Sequence, residues 1–406
     1  MRPSHLFVCL NAFCLTLLAA GPAFPQTSEA TAEKTSTAPV AWVYLQEAAG
    51  VNLYDAASNG KLTLVNKSPF KTEGAMAGST GGHLFTTTET SIESYAVESN
   101  GAIGSLVSTT NIDKYTASGC GYVAINGALL DHTGKYLYVN VSSVNGYTTP
   151  CVLWQSYKIG SNAELTYLGD LSGVGVSDLS TISSNDIYSY GVNGQSEGPC
   201  SFGGNHFAGY TRTSGGVLEL NESFKYTDPT PNPSPAGSNN DFFPFAVASD
   251  PAGHLAVLMN ECYADGQASV GEYLASYTIN QKTGAITTTN SYKNMPPTLV
   301  NTDLPLNSLP PQIMRMSSSG KYLAVAGGGI QLFHFNGAEP ITHLSKLLLP
   351  TDDIERLQWD NNNHLYALNF WTGQFYEYAV TSTSVTEVTS FATTPFNAYG
   401  LLVVSK

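Results

Sequence analysis

Charge is scarce in this sequence. Asp, Glu, Lys and Arg make up 12% of its 406 residues, about half the ~25% usual for soluble domains. Ser, Thr, Asn and Gly supply the polarity instead, which suits a β-rich protein working outside the cytoplasm. No Lys/Arg cluster is present, and 17 basic residues face 31 acidic ones for a net charge of -14. A phosphate backbone would find nothing to hold, so nucleic acid is excluded as a partner. The acidity is spread along the chain and favours solubility. The one long apolar run, residues 6–20, is shorter than the ~20 residues of a comfortable membrane span.

Several catalytic signatures are absent as well. There is no C-x-x-C spacing, which argues against a zinc or redox site. No G-x-S-x-G elbow and no H-E-x-x-H pair occurs, so a serine or zinc hydrolase has no support. Gly327-Gly328-Gly329 is not followed by Lys-Ser/Thr and is expected to be a tight connection between two strands, not a phosphate cradle. No metal and no cofactor is expected.

The N-terminus has the form of a secretory signal. Arg2 precedes the apolar run, and Gly21-Pro22-Ala23 offers small residues for cleavage. Residues 1–23 are therefore expected to be a signal peptide, 24–40 a flexible leader, and 41–406 one domain of a secreted or periplasmic protein without stable membrane insertion.

That domain is a repeat. An aromatic with a turn dipeptide a few residues later recurs at Tyr54, Tyr95, Tyr157, Tyr210, Tyr277, Phe333 and Tyr378, with a mean period of 54 residues. Asn59-Gly60, Asn100-Gly101, Gly215-Gly216 and Thr283-Gly284 are among the dipeptides. Such pairs accept the positive φ of tight hairpins, and the aromatic fills the space between packed sheets. A second turn opens each central apolar strand, as in Asp131–Tyr136, Asp250–Leu255 and Asp360–Leu365. His83, His254 and His364 share a place in this turn with Lys135, Asp186 and Lys321, so a solvated flank is expected there. Seven units of four short strands predict an all-β fold, a seven-bladed β-propeller. The first unit lacks its opening strand, and an orphan strand, Tyr399-Gly400-Leu401-Leu402-Val403-Val404, ends the chain. The ring is expected to close by pairing this strand into the first blade, which removes sheet edges.

Extra length gathers in residues 109–122, 142–151, 191–205, 221–243, 261–271 and 292–311. All are expected to be links between blades or loops between second and third strands, hence on one face, the expected binding face for a small molecule or a protein. The Pro-rich residues 227–235 are expected to be a stiff link. Outside the signal, Cys120, Cys151, Cys200 and Cys262 lie in or beside these segments, which implies two disulfides. Three pairings are possible, and Cys120–Cys151 with Cys200–Cys262 is the expected one. The candidate polar groups near the channel mouth are Glu73, Asp241 beside Phe243, Asn260 with Glu261, Gln312 with Arg315, and Glu355 with Arg356. A carboxylate beside an arginine in a concave site can perform acid/base work. Ion pairing or simple solvation is the competing role.

Residues 131–140, 250–261, 273–286 and 317–325 carry a resemblance to the seven-bladed propeller lactonases, the 6-phosphogluconolactonase-like, YVTN-type proteins. It extends over residues 42–404, and Asn260-Glu261 matches that family's Asn-Glu pair. Three other polar elements differ: Phe242-Phe243 stands where the family carries Arg-His, Ala326-Gly327 where it carries Asn-Arg, and no Asp-x-Gly-x-Asp follows Tyr138. Two functions follow from the resemblance and these departures. The first is an exported, monomeric binding propeller that uses its long-loop face. The alternative is a hydrolase of a sugar lactone or similar cyclic ester. In that case Glu261 and Arg315 would supply the acid/base and oxyanion roles, with Glu73 in the same pocket.

Overall fold

Each repeat folds into a four-stranded antiparallel sheet because apolar residues alternate along its strands and turn residues separate them. The computed structural model describes residues 38–112, 123–143, 153–172, 178–192, 207–230, 241–262, 269–300, 314–393 and 398–406. There are seven such sheets and no α-helix among the described residues. None therefore holds a helix long and apolar enough to cross a membrane. The signal and residues 24–37 of the leader lie outside the described residues, as do Cys120, Cys151, Cys200 and Gln312.

Blade one contains the closure that the orphan strand predicts. Strand Ala398–Ser405 pairs antiparallel with Ala41–Glu47, which pairs in turn with Gly50–Ala56 and then Leu62–Leu64. The C-terminal strand thus takes the innermost place of a blade whose other strands come from the beginning of the domain. Innermost strands in the other blades are Ala75–Thr80, Val123–Leu130, Asp178–Ile182, Asp241–Ser249, Met314–Met316 and Arg356–Trp359. Neighbours pack side by side: Met314–Met316 lies beside both Asp241–Ser249 and Arg356–Trp359, and Ala398–Ser405 lies beside both Arg356–Trp359 and Ala75–Thr80.

One hydrogen bond recurs in every blade from two to seven. The residue that ends the third strand donates its N–H to the carbonyl just before the second, as in Val97 to Gly82, Ile279 to Gly253 and Phe335 to Lys321. In blade six this bond shows that the extended run Tyr322–His334 doubles back at Gly327–Gly329, the tight connection expected there.

The turn glycines also hold blade to blade. Tyr44 donates its hydroxyl to Gly101 O of the next blade at 2.8 Å, and Tyr190 does the same to Gly284 O at 3.0 Å. Gly101 has φ 84 and Gly284 φ 71. A Cβ there would meet the Trp42 ring at 2.7 Å and the Tyr188 ring at 2.5 Å. An aromatic-x-Tyr run in one second strand therefore grips the third-to-fourth turn of the next blade. The markers fill the rest of the gap: Tyr157, Tyr210, Tyr277 and Phe333 are wholly buried.

The histidine turn differs from the solvated flank that the sequence suggests. His364 is buried, and its Nδ1 lies 2.7 Å from the Asp360 carboxylate. The Tyr366 hydroxyl donates to the same carboxylate at 3.2 Å. Glu377 is fully buried nearby, and burial first, opposed by His364 and reinforced by Asp360, pushes its carboxyl up to about 7. Asp186 likewise is buried, accepting two backbone N–H bonds and the His132 ring, instead of standing in solvent.

Candidate functional site at the channel mouth

Strand direction alternates within a blade. The starts of innermost strands and the ends of second strands therefore share one face, where the blade links and the second-to-third loops also emerge. All the long segments occupy such connections, and Glu261, Glu355 and Arg356 stand at such strand ends.

The expected site residues come from blades two, five, six and seven. In blade five, Asn260 pairs with Phe243 and Glu261 with Phe242 across the two inner strands. Asn260 and Glu261 are buried, and the Asn260 amide nitrogen has no hydrogen-bond partner among the described residues. Glu261 bonds to the Tyr273 hydroxyl. Burial, then the Glu261 charge, raises the pKa of that hydroxyl. Asp241 is exposed at the strand start, and its charge adds to burial in raising the carboxyl of Asp228. Cys262 follows Glu261, fully buried and disulfide-bonded, with its partner outside the described residues. Glu73 is exposed on the link into blade two, its N–H donating to the Tyr95 hydroxyl at 3.1 Å.

Blades six and seven hold the others. Arg315 and Arg356 lie on adjacent innermost strands. Burial first, then the charge of Arg356, brings Arg315 down to about 10. Arg356 is lowered too, by burial and against the pull of Glu355. Each guanidinium turns one N–H to its own strand: Arg315 to Met314 O at 3.2 Å and Arg356 to Glu355 O at 2.9 Å. No carboxylate among the described residues lies within ion-pair distance of either, and no contact of Arg315 reaches Glu261 or Glu73. None of their nitrogens is both sealed from solvent and unpartnered, so the spare donors stay reachable. Arg315 keeps partial solvent access although protein surrounds it, which is the position of a group on a channel wall.

The chain has only four arginines. Arg2 lies outside the described residues, and Arg212 is neutralised by Asp131 at 2.9 Å. The remaining two stand together, with no ion-pair partner among the described residues, in a protein of net charge -14. Like charges held side by side are costly without a counter-ion, so the arrangement suits a bound anion. Planar guanidinium forks match carboxylate or phosphate oxygens.

The sequence pointed to Glu355 and Arg356 but not to Trp371, whose side chain hydrogen-bonds the Glu355 carboxylate. Trp371 belongs to the short connection from His364–Asn369 to Gln374–Val380, closed by Gly373 N–H to Asn369 O at 2.9 Å. Only the turn-like Thr372-Gly373 betrays this in the sequence.

No protein-family model matches the chain, and no curated protein is similar to it in sequence. Solved structures do match. A protein provisionally assigned as a 6-phosphogluconolactonase, from Bacteroides uniformis, aligns with a TM-score of 0.59 at 10% identity, covering 90% of this chain and 100% of the other. A protein from Lactobacillus plantarum gives 0.55 at 14% identity, covering 90% and 100%. A periplasmic gluconolactonase of Pseudomonas aeruginosa gives 0.51 at 14% identity, covering 78% and 82%. The chain is thus a seven-bladed β-propeller, similar in fold to lactonase-type proteins.

Proposed function

We propose that this protein is an exported, monomeric binding propeller that takes a small anionic molecule at the long-loop end of its central channel. The observation that carries this reading is the arginine pair. Arg315 and Arg356 are close enough to repel, have no carboxylate within ion-pair distance among the described residues and keep donors within reach of solvent. A site recessed in a channel favours a small molecule over a protein. The N-terminal signal supports export, and the periplasmic setting of one fold neighbour agrees with it.

Lactone hydrolysis is the second reading. The fold likeness and the buried Glu261, bonded to the half-buried Tyr273, favour it. The two are separated by acid release at constant pH from plain and phosphorylated sugar lactones, run beside calorimetric titration with the ring-opened acids. The binding reading expects the acids to bind, Arg315→Met and Arg356→Met to weaken them, and no turnover above background. Turnover that disappears in Glu261→Gln would make the protein an enzyme.

A further inference from the structure

We infer that the seam between blades seven and one, where the ring closes, is a proton-operated latch. It stays shut while the buried Glu377 carries its proton and opens locally when that proton is lost. Two carboxyls, Asp360 and Glu377, are fully buried at this seam. Beside them Tyr366 packs into the core that blade seven shares with Val43, Leu45 and Ala56 of blade one. Asp360 is held as an anion. It accepts the backbone N–H of Asn362 and of His364, both at 2.8 Å, the His364 ring at 2.7 Å and the Tyr366 hydroxyl at 3.2 Å. Such bonds favour the charged form of a carboxyl. Glu377 has no comparable set. Neither of its oxygens receives a hydrogen bond of ordinary geometry among the described residues, and the Tyr366 hydroxyl that faces it is already given to Asp360. Of the two acids, Glu377 is therefore the one that is buried at least cost with its proton on.

Across the seam Glu377 meets uncharged backbone. Gly60, in the third-to-fourth turn of blade one, has φ 81, and a Cβ there would fall 2.8 Å from Glu377 Oε1. Lys61 beside it is exposed. On the outermost strand of blade seven Thr389 stands opposite Glu377, and Glu387 acts on Tyr378 instead. His364 is thus the only cation among the described residues that acts on Glu377, and Asp360 opposes it. The same place in the other blades, one residue before the aromatic marker, holds Leu53, Ser94, Ser156, Gly209, Ser276 and Leu332. The three serines bond backbone of the next blade, at Ala163 O, Leu218 N and Ala338 O. An ionisable group takes this place only where the ring closes. Burial first, opposed by His364 and reinforced by Asp360, raises its carboxyl to about 7. The proton therefore supports closure fully below the ordinary carboxylate pKa, and that support is lost as pH rises through about 7. His364 is raised as well: burial lowers it, but its bond to Asp360 and the charges of Asp360 and Glu377 outweigh burial. Losing either proton leaves uncompensated negative charge inside the seam. Parting the seam admits water to it and leaves both blades folded.

The test is hydrogen–deuterium exchange of the intact protein at pH 6 and pH 8, corrected for the intrinsic rate at each pH. Amides of Gly50–Ala56 and Gln374–Val380, on either side of the seam, should open about tenfold more at pH 8. That is the change given by a carboxyl of about 7 in the closed seam and of ordinary value in the open one. Tyr188–Val192, at the seam held by Tyr190 on Gly284, serves as the reference and should not change. Glu377→Gln keeps the shape without the ionisation and should hold the seam shut at both pH values. Glu377→Ser, the residue found in blades two, three and five, makes the same comparison if the glutamine variant does not fold. A wild-type seam that opens no more at pH 8 overturns the latch. An equal rise at the reference seam means general loosening and overturns it too. A rise that persists in the Glu377 variants assigns the proton to another group, and the inference falls.

Discussion

Arg315 and Arg356 repel each other, and among the described residues only the charge of Glu355, beyond ion-pair distance, offsets that of Arg356. Functional groups arranged this way are held at the expense of stability. Arg315→Met keeps the aliphatic volume and removes the repulsion. It should stabilise the ligand-free protein by roughly 0.5–2 kcal/mol, read from chemical denaturation, while weakening anion binding. A loss of stability would mean that the pair has a structural role. Glu377 is the other residue under electrostatic stress. It occupies the place, one before the aromatic marker, where Ser94 and Ser276 bond to turn carbonyls of the next blade, Ala163 O at 2.9 Å and Ala338 O at 3.1 Å. Asp360, His364 and Tyr366 face it within blade seven, and Gly60 of blade one leaves it room: a Cβ there would lie 2.8 Å from Glu377 Oε1. Its carboxyl is raised to about 7, so the folded state holds the proton more tightly than the unfolded state does. That contribution is complete below the ordinary carboxylate pKa and disappears as pH rises through about 7. Glu377→Gln should therefore gain in Tm over the wild type as pH is raised from acid to pH 8. A constant difference across that range would contradict the shift.

Between the elements, the grip of an aromatic-x-Tyr run on the next blade's turn explains why the repeat was legible. Trp42-x-Tyr44, Tyr136-x-Tyr138 and Tyr188-x-Tyr190 each meet a glycine of the following blade. Glycine at these turns answers to φ and to the neighbour's ring together, so the dipeptide recurs even though the strands vary. Gly284→Ala combines a positive φ with a Cβ 2.5 Å from Tyr188 and should cost roughly 2–4 kcal/mol. Tyr190→Phe loses one buried hydrogen bond and should cost about 1 kcal/mol. Both are measurable by denaturant titration, and equal, negligible costs would remove the grip from the account. The site was less legible for a physical reason. Asn260-Glu261 and Glu355-Arg356 stand out because polar residues end apolar strands. Trp371 does not, because its bond to Glu355 joins two separate connections, which no spacing encodes. The burial of His364 is hidden from the sequence for a similar reason. Its slot is exposed in some blades, but in blade seven Asp360, Tyr366 and the seam with blade one close over it.

At the scale of the whole molecule, Ala398–Ser405 is both the last strand of the chain and the innermost strand of the first blade. It lies between the strand bearing Arg356 and the start of blade two. Ring closure therefore supports the channel wall next to the arginine pair. Removing residues 398–406 should leave the edge of Ala41–Glu47 unpaired and give an aggregating chain without a cooperative thermal transition. A soluble, cooperatively melting product would contradict closure by this strand. The central claim, that the channel holds an anion between Arg315 and Arg356, is tested most directly by thermal unfolding in sulfate against chloride at equal ionic strength. The wild type and the Arg315→Met/Arg356→Met variant would be compared, so that the general stabilising effect of sulfate cancels. An anion site at the pair predicts an extra, saturable rise in Tm with sulfate that only the wild type shows. The same rise in both proteins would contradict it.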